Sequence, residues 1–373
     1  MSLIKKYQNF LKYFILIFLL ILVIEGIGNL FWNYIKSHNL FGVLQVHKAL
    51  NSKEADYLQR FKPSTYGLYW NNPNFKDRKY GSQYDQNGYR NKEIDKTETN
   101  NFKILVMGGS TTNSYPFMRD RDKIWTTLLK NKLSGLGIPV HVYNAGLPGG
   151  TTAEMLSNYL FNAQYLMPDL ILIHTGSNDI GPLLYADIYD YRTDYSHLRS
   201  YTGAQFRPGE ITILRYSKFF RVLYAVWLRN GGFFRSYPKN KPKMIKEEAK
   251  LSVINNLPIA FQKNLEVLVT IAKSNKSRVL FVPVNRRSED GVKKWLKENP
   301  KVEDYEEAFR LAMQKHKEIM RKISINKDEL YFELNENLFE DSDFIDRMHL
   351  TETGHEEKAR QIFQYLIKNN IIK

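Results

Sequence analysis

Cysteine is absent from all 373 residues, which excludes disulfides, thiolate nucleophiles and cysteine-held metals. The compartment therefore cannot be read from thiol usage. The histidines are few, and His38, His47, His141, His174, His197 and His316 show no metal-ligand spacing. No metal and no other cofactor is expected. Low-complexity tracts and internal repeats are missing too. Acidic residues are outnumbered, 39 against 54 basic, for a formal net charge of +15. Such a balance suits nucleic acid, an acidic membrane surface or an anionic cell-envelope polymer. No nucleic-acid-binding motif accompanies it, so nucleic acid is not an expected partner and the membrane reading is preferred. A hydrophobic fraction of 43% and a charged fraction of 25% are ordinary for a folded chain. The length fits one large α/β domain with additions, or two small domains.

What is present begins at the N-terminus. Lys5, Lys6 and Lys12 precede an apolar run, Tyr13 to Ile24, that continues through Glu25 to Trp32. A helix needs about 20 residues to cross roughly 30 Å of hydrocarbon, and Leu11 to Phe31 reaches that length, with Glu25 and Asn29 in its outer third. Secretory signals have a shorter apolar core and a small-x-small cleavage site, and nothing like Ala-x-Ala follows here. A cleaved signal peptide and a buried core helix are the alternatives. The preferred reading is an uncleaved single-pass anchor over residues 1–34, with the lysine-rich tip in the cytoplasm and Phe31, Trp32 and Tyr34 at the far interface. The rest of the chain is then periplasmic or extracellular. Residues 35–100 read as a connector without chemistry. It holds a helix over Val43 to Phe61, strand and turn pieces at Tyr66–Trp70 and Gln86–Arg90, and a charged loop from Lys92 to Asn101.

Beyond residue 101 the chain alternates. Ile104 to Met107 is a continuous β-prone run that suits a strand buried on both faces. It ends in Gly108-Gly109-Ser110 and then a helix. A helix is expected over Asp120 to Gly135, a strand at Val140–Tyr143, and a helix capped by Thr152. Asp169–His174 is the next strand. Further on come a helix over Leu257–Lys273, a strand at Arg278–Val284, a helix over Val302–Ile323, a strand at Glu329–Glu333 and a terminal helix over Glu352–Lys368. Strands alternating with helices imply a parallel sheet covered on both faces.

Strand ends carry chemistry-grade residues. A strand-Gly-Gly-Ser-helix junction presents Ser110 where open α/β sheets bind ligands, although phosphate-binding turns and ordinary tight turns share that text. A serine hydroxyl needs a base. His349 suits that task, and Asp346, three residues earlier, is close enough to orient the imidazole. The Ser110 and Gly146 backbone N–H groups and the Asn178 side-chain amide are candidate oxyanion donors. Asn178-Asp179 as a plain turn, and Asp346 with His349 as a surface ion pair, are the bland alternatives. Asp179 reads as a brace for its loop, and His355 as a structural histidine at the start of the last helix.

The set Gly-Gly-Ser110-Thr, Asn-x-Gly146, Gly-x-Asn178-Asp179 and Asp346-x-x-His349 resembles the SGNH/GDSL hydrolase superfamily, whose blocks I, II, III and V have this order and spacing. The resemblance implies a three-layer, flavodoxin-like α/β/α sandwich with a parallel sheet over residues 101–373, preceded here by one transmembrane helix. It also implies Ser110 as nucleophile, His349 as base, Asp346 as orienting carboxylate, and Ser110, Gly146 and Asn178 as the oxyanion hole. One departure stands out. Block I usually reads Gly-Asp-Ser, and Gly109 replaces the aspartate, which puts in question how the serine loop is held.

Residues 181–250 form an insertion too long for an ordinary connection. Tyr185 to Tyr201 is rich in tyrosine and aspartate, and Ile213 to Arg229 is aromatic and amphipathic. From Arg215 to Lys243 every charged side chain is basic: Arg215, Lys218, Arg221, Arg229, Arg235, Lys239, Lys241 and Lys243. Such a helix suits a headgroup region; it equally suits a lid over the crevice. The functional expectation is a membrane-anchored serine esterase acting on an acyl ester, in a lipid or an acylated glycan. The rivals are an O-acyltransferase acting on an envelope glycan, with or without a membrane acyltransferase partner, and a non-catalytic scaffold on the same fold.

Overall fold

The computed structural model describes residues 2–38, 60–64, 66–67, 69–91, 101–184, 195, 212–229, 246–299 and 305–372. Residues 43–59 of the helix expected over Val43–Phe61, residues 92–100 of the charged loop Lys92–Asn101, nearly all of the tyrosine-rich stretch 185–201, and Arg235, Lys239, Lys241 and Lys243 lie outside the described residues, and Phe61 opens a strand instead. Contacts divide the chain into two compact units: Met1–Gln59 with Ser200–Lys241, and Arg60–Arg199 with Pro242–Lys373.

In the first unit the helix Ser2–Ser37 contains Tyr7–Ile35, 29 residues long and apolar enough to cross a membrane. Its side chains from Phe10 to Val23 are exposed wherever they are large and apolar. The helices Thr212–Tyr216 and Lys218–Arg229 belong to the same unit.

The second unit opens with two antiparallel pairs, β1 (Phe61–Pro63) with β2 (Tyr69–Asn71) and β3 (Lys76–Asp77) with β4 (Gly81–Ser82). The main sheet follows: β5 (Phe102–Gly108), β6 (Val140–Gly146), β7 (Leu170–His174), β8 (Arg278–Phe281) and β9 (Leu330–Tyr331). All neighbours are parallel, in the order β6-β5-β7-β8-β9. Taken in chain order this is 2-1-3-4-5, the flavodoxin-like winding, whose ligand crevice opens where the order reverses. The reversal lies between β5 and β7, so the residues after Gly108 and His174 border that crevice.

Side chains alternate along each strand and so feed two cores. Leu105, Met107, Ile171, Ile173, Val279 and Phe281 pack under the helices Thr152–Phe161, Ile259–Ser274 and Glu306–Lys327 through Met155, Tyr159, Phe261, Leu265 and Met320. Ile104, Val106, Leu170, Leu172 and Leu280 face the helices Trp125–Gly135 and Glu352–Lys368 through Leu129, Leu133, Ala359 and Ile362. This is the three-layer α/β/α sandwich with a parallel sheet. Several element limits differ from expectation. Asp120 caps a single turn at Arg121–Lys123, and the helix proper starts at Trp125. Thr151, not Thr152, is the N-cap, in a capping box with Glu154. β8 ends two residues before Pro283, which has no N–H for a ladder. Helices at Lys246–Asn255 and Glu289–Glu298 were not expected; the second starts from Ser288, whose hydroxyl accepts from Gly291 N–H.

Candidate active site

Ser110 is the first residue of a one-turn helix, Ser110–Asn113, that follows β5 directly. Its own N–H is one of the groups a helix start leaves unbonded, and among the described residues nothing accepts from it. The turn ends at Ser114, whose φ of 68° stops helix propagation. The Ser110 hydroxyl is half-buried and lies 2.9 Å from His349 Nε2.

His349 sits in a tight reversal. Ile345 N–H donates to the His349 carbonyl at 2.8 Å, and Phe344 bridges Leu350. Inside that reversal Asp346 Oδ1 accepts from the N–H groups of Met348 and His349, at 2.8 Å each, while Oδ2 lies 2.7 Å from His349 Nδ1. Burial pushes the Asp346 carboxyl up, but the imidazole and the two backbone donors outweigh it and hold the acid below the usual carboxylate range. A carboxylate at Nδ1 requires a proton there, which leaves Nε2 to accept from the Ser110 hydroxyl. Phe117 stacks on the imidazole, with centroids 3.7 Å apart and planes 18° apart, and limits the ring's rotation. The structure therefore brings Ser110, His349 and Asp346 into one hydrogen-bonded line.

Asn178 follows β7 and directs its amide Nδ2 at the Gly150 carbonyl, 2.8 Å away, leaving one N–H of that amide for another acceptor. Gly109 makes this possible. A Cβ there would lie 2.3 Å from Asn178 Nδ2, so any side chain at 109 displaces the amide. The residue that departs from the family pattern is thus matched to the position of Asn178.

Gly146 does not fit the donor role expected of it. Its N–H donates to Asn144 Oδ1 at 3.0 Å and its carbonyl accepts from Asn71 Nδ2 and Asn113 Nδ2, so the peptide is buried and engaged. Three residues on, Gly149 is exposed with φ of +74°, a conformation that favours glycine. Among the described residues its N–H has no acceptor. Tyr69 donates to the neighbouring Pro148 carbonyl at 2.7 Å and fixes this turn.

Tyr69 and Asn71 belong to the stretch read as a connector without chemistry, and a third residue from it reaches further in. Arg90 is fully buried and donates to the carbonyls of Asn113, Met118 and Arg119, all in the loop that follows Ser110. Burial lowers its pKa to about 10. Sequence reasoning missed these three residues. An isolated arginine or asparagine twenty to forty residues upstream carries no spacing signal; the Asn-Gly turn before Arg90 was the sole hint.

Behind the serine lies a second set of titratable groups. His174, at the end of β7, binds the Val282 carbonyl through Nδ1 at 2.9 Å and meets Lys358 Nζ at Nε2, 3.0 Å away. His355 accepts from Trp125 N–H. Burial drives the pKa of both histidines well below the ordinary value, with Lys358 adding to it, and drives Lys358 down to about 7. Asp179 is buried, accepts from the N–H and hydroxyl of Thr152 and from Tyr195, and is raised by burial to about 6. Among the described residues no group of three or more His, Asp or Glu is placed to hold a metal ion.

A serine hydroxyl, an imidazole and a carboxylate thus stand in line at the reversal point of a flavodoxin-like sheet, the arrangement that nucleophile-and-base chemistry requires. The family comparison is specific: the GDSL-like lipase/acylhydrolase model matches residues 104–362, and the chain belongs to that family. A search of curated proteins finds no match to this chain. Among solved structures, similarity is found to a protein from Desulfitobacterium hafniense DCB-2 described as lipolytic and of the G-D-S-L family, with TM-score 0.40 and 12% identity, covering 71% of this chain and 99% of that one. An acetylxylan esterase from Geobacillus stearothermophilus gives TM-score 0.41 and 12% identity, covering 70% and 92%. A further acetyl xylan esterase gives TM-score 0.40 and 13% identity, covering 71% and 99%.

Proposed function

We propose that the protein is a membrane-anchored serine esterase. The observation that carries this is the unbroken hydrogen-bond line from Asp346 through His349 to Ser110. Ser110 Oγ attacks the ester carbonyl carbon as His349 Nε2 takes the hydroxyl proton. Asp346 holds the imidazole in the tautomer that accepts this proton and stabilises the cation that forms. The tetrahedral oxyanion is received by the N–H groups of Ser110 and Gly149 and by the free N–H of Asn178; Gly149 takes the place first assigned to Gly146. His349 returns the proton to the departing alcohol. Water then attacks the acyl-serine with His349 as base, releasing the acid and restoring the hydroxyl. Acyl transfer to a glycan hydroxyl in place of water uses the same residues, and the excess of basic side chains over acidic ones, 54 against 39, favours anionic envelope material as its setting.

In this reading Tyr7–Ile35 spans the membrane uncleaved. Lys5, Lys6 and Lys12 keep its start in the cytoplasm, residues 101–373 carry the chemistry outside, and residues 60–91 brace that unit. The test uses the full chain in detergent. A short-chain aryl ester should be hydrolysed and a fluorophosphonate should label Ser110. Ser110→Ala should remove the label and lower kcat by roughly 10⁶ without moving Tm. A wild type that is inert and unlabelled favours the scaffold reading instead. Acyl-glycan formed on adding a glycan acceptor selects transfer, and hydrolysis indifferent to the acceptor rejects it.

A further inference from the structure

Glu25 and Asn29 interrupt an otherwise apolar run, and the first unit shows what they meet. The Glu25 carboxylate accepts from the Ser217 hydroxyl at 2.6 Å and from the Lys218 N–H, the first of the helix Lys218–Arg229. Lys218 Nζ donates to Asn29 Oδ1 at 2.7 Å. One turn from Glu25, Gly28 lies under the Phe219 backbone; a Cβ there would sit 2.5 Å from Phe219 Cα, the close approach that small residues give helix pairs in membranes. Further along, the Arg221 guanidinium lies 5.8 Å over Trp32. Glu25, Gly28 and Asn29, in the outer third of the span, therefore seat one helix of the insertion, while Gly26 faces open space.

We propose that residues 212–229 are a second membrane-embedded element, held in the outer leaflet against the anchor, with their outward face on lipid acyl chains. The inference rests on the reading of Tyr7–Ile35 as a span. At 1.5 Å per residue Glu25 lies roughly 10 Å deeper than the interfacial Trp32, where a carboxylate is tolerated only with partners. Its partners are a helix N-terminus and a hydroxyl, so the start of Lys218–Arg229 lies at that depth too. The other side of the element matches. Ile213, Tyr216, Phe220, Leu223 and Val226 are exposed and recur every three or four residues, one apolar stripe along the side that the anchor leaves uncovered. A lid would bury that stripe against protein. Here it stays exposed, as do Ile27, Leu30 and Phe31 on the anchor itself.

The absence of cysteine makes the test clean. Leu223→Cys, Phe220→Cys, Leu20→Cys and Glu356→Cys are each labelled with a nitroxide in the full chain, reconstituted in vesicles of phosphatidylethanolamine and phosphatidylglycerol. Leu20 reports the middle of the anchor and Glu356 an exposed helix of the second unit. Labels at 220 and 223 should behave like that at 20: readily relaxed by oxygen, and relaxed by a water-soluble nickel chelate roughly tenfold less than the label at 356. Labels at 220 and 223 that match 356, or that are shielded from both relaxants, overturn the proposal while the anchor stands. A water-accessible label at 20 overturns the anchor reading together with it.

Discussion

Two histidine groups occupy the second unit, and they differ in what faces the imidazole. His349 is partly open to solvent, with 12% of its side chain exposed, and has a carboxylate at Nδ1 and a hydroxyl at Nε2. His174 and His355 are buried with Lys358, itself 0% exposed, and among the described residues no carboxylate is paired with any of them. The first arrangement gives the imidazole a carboxylate on one nitrogen and a hydroxyl on the other, which is what the proposed base needs in order to take and return a proton. The second penalises every cation it holds, since burial without a counter-charge favours neutral forms. Equal residue types thus yield the proposed base in one place and a buried, low-charge packing unit in the other. What separates them is the partner and the access to water.

Three substitutions break or sharpen this contrast. The largest effect is expected from Asp346→Asn, which makes the open site resemble the sealed one. An amide no longer enforces the productive tautomer, and kcat for an aryl ester should fall by about 10⁴, with Tm little changed. A fall of less than tenfold would mean that the carboxylate does not orient the base. Next comes Asn178→Ala, which leaves the hydrogen-bonded line intact and removes one of the proposed oxyanion donors. The rate should drop by about 10²–10³ while fluorophosphonate still reaches Ser110. A rate within twofold of wild type would remove Asn178 from the site.

The smallest effect on rate, and a clear one on stability, is expected from Lys358→Met. The folded-state pKa of about 7 lies below the ordinary value of 10.5, so between those limits the unfolded chain binds a proton that the folded chain does not. Wild-type stability therefore rises as pH climbs from 7 toward 10.5, and the penalty is at its full size below 7. Lys358→Met should gain about 1–4 kcal/mol at pH 6, the gain shrinking toward pH 10, with kcat unchanged. Denaturant titrations at pH 6 and pH 9 measure the difference; equal shifts at both would show that the lysine is not buried as a strained base.

The division between what was readable and what was not follows the range of the interactions. Ser110, Asn178 and the pair Asp346 and His349 each sit within a few residues of a strand end or inside one turn, so the four pieces of local text, taken in order, suffice to nominate them. The parallel sheet was likewise legible, because buried parallel strands write continuous apolar runs such as Leu105–Met107 and Leu170–Ile173, whereas the flavodoxin-like winding came from the family resemblance. The donor proposed for the second loop lies three residues beyond the one expected, at Gly149 in place of Gly146. Gly146, Gly149 and Gly150 are near-equivalent as text, and the choice among them depends on Asn144 folding back onto the Gly146 N–H. Glu25 and Asn29 read as flaws in a span until the distant Ser217 and Lys218 are placed beside them. Arg90 was silent for the same reason: its meaning lies in three carbonyls 23 to 29 residues away.

The Arg90 guanidinium has a practical consequence. The family match begins at residue 104, and a protein trimmed to that limit keeps every reacting atom. It loses the only described side chain that ties Asn113 to Met118 and Arg119 at once, along with the tyrosine that pins Pro148. Such a fragment is expected to retain its sheet and forfeit its turnover, because the frame around the serine is supplied from outside the segment that defines the family.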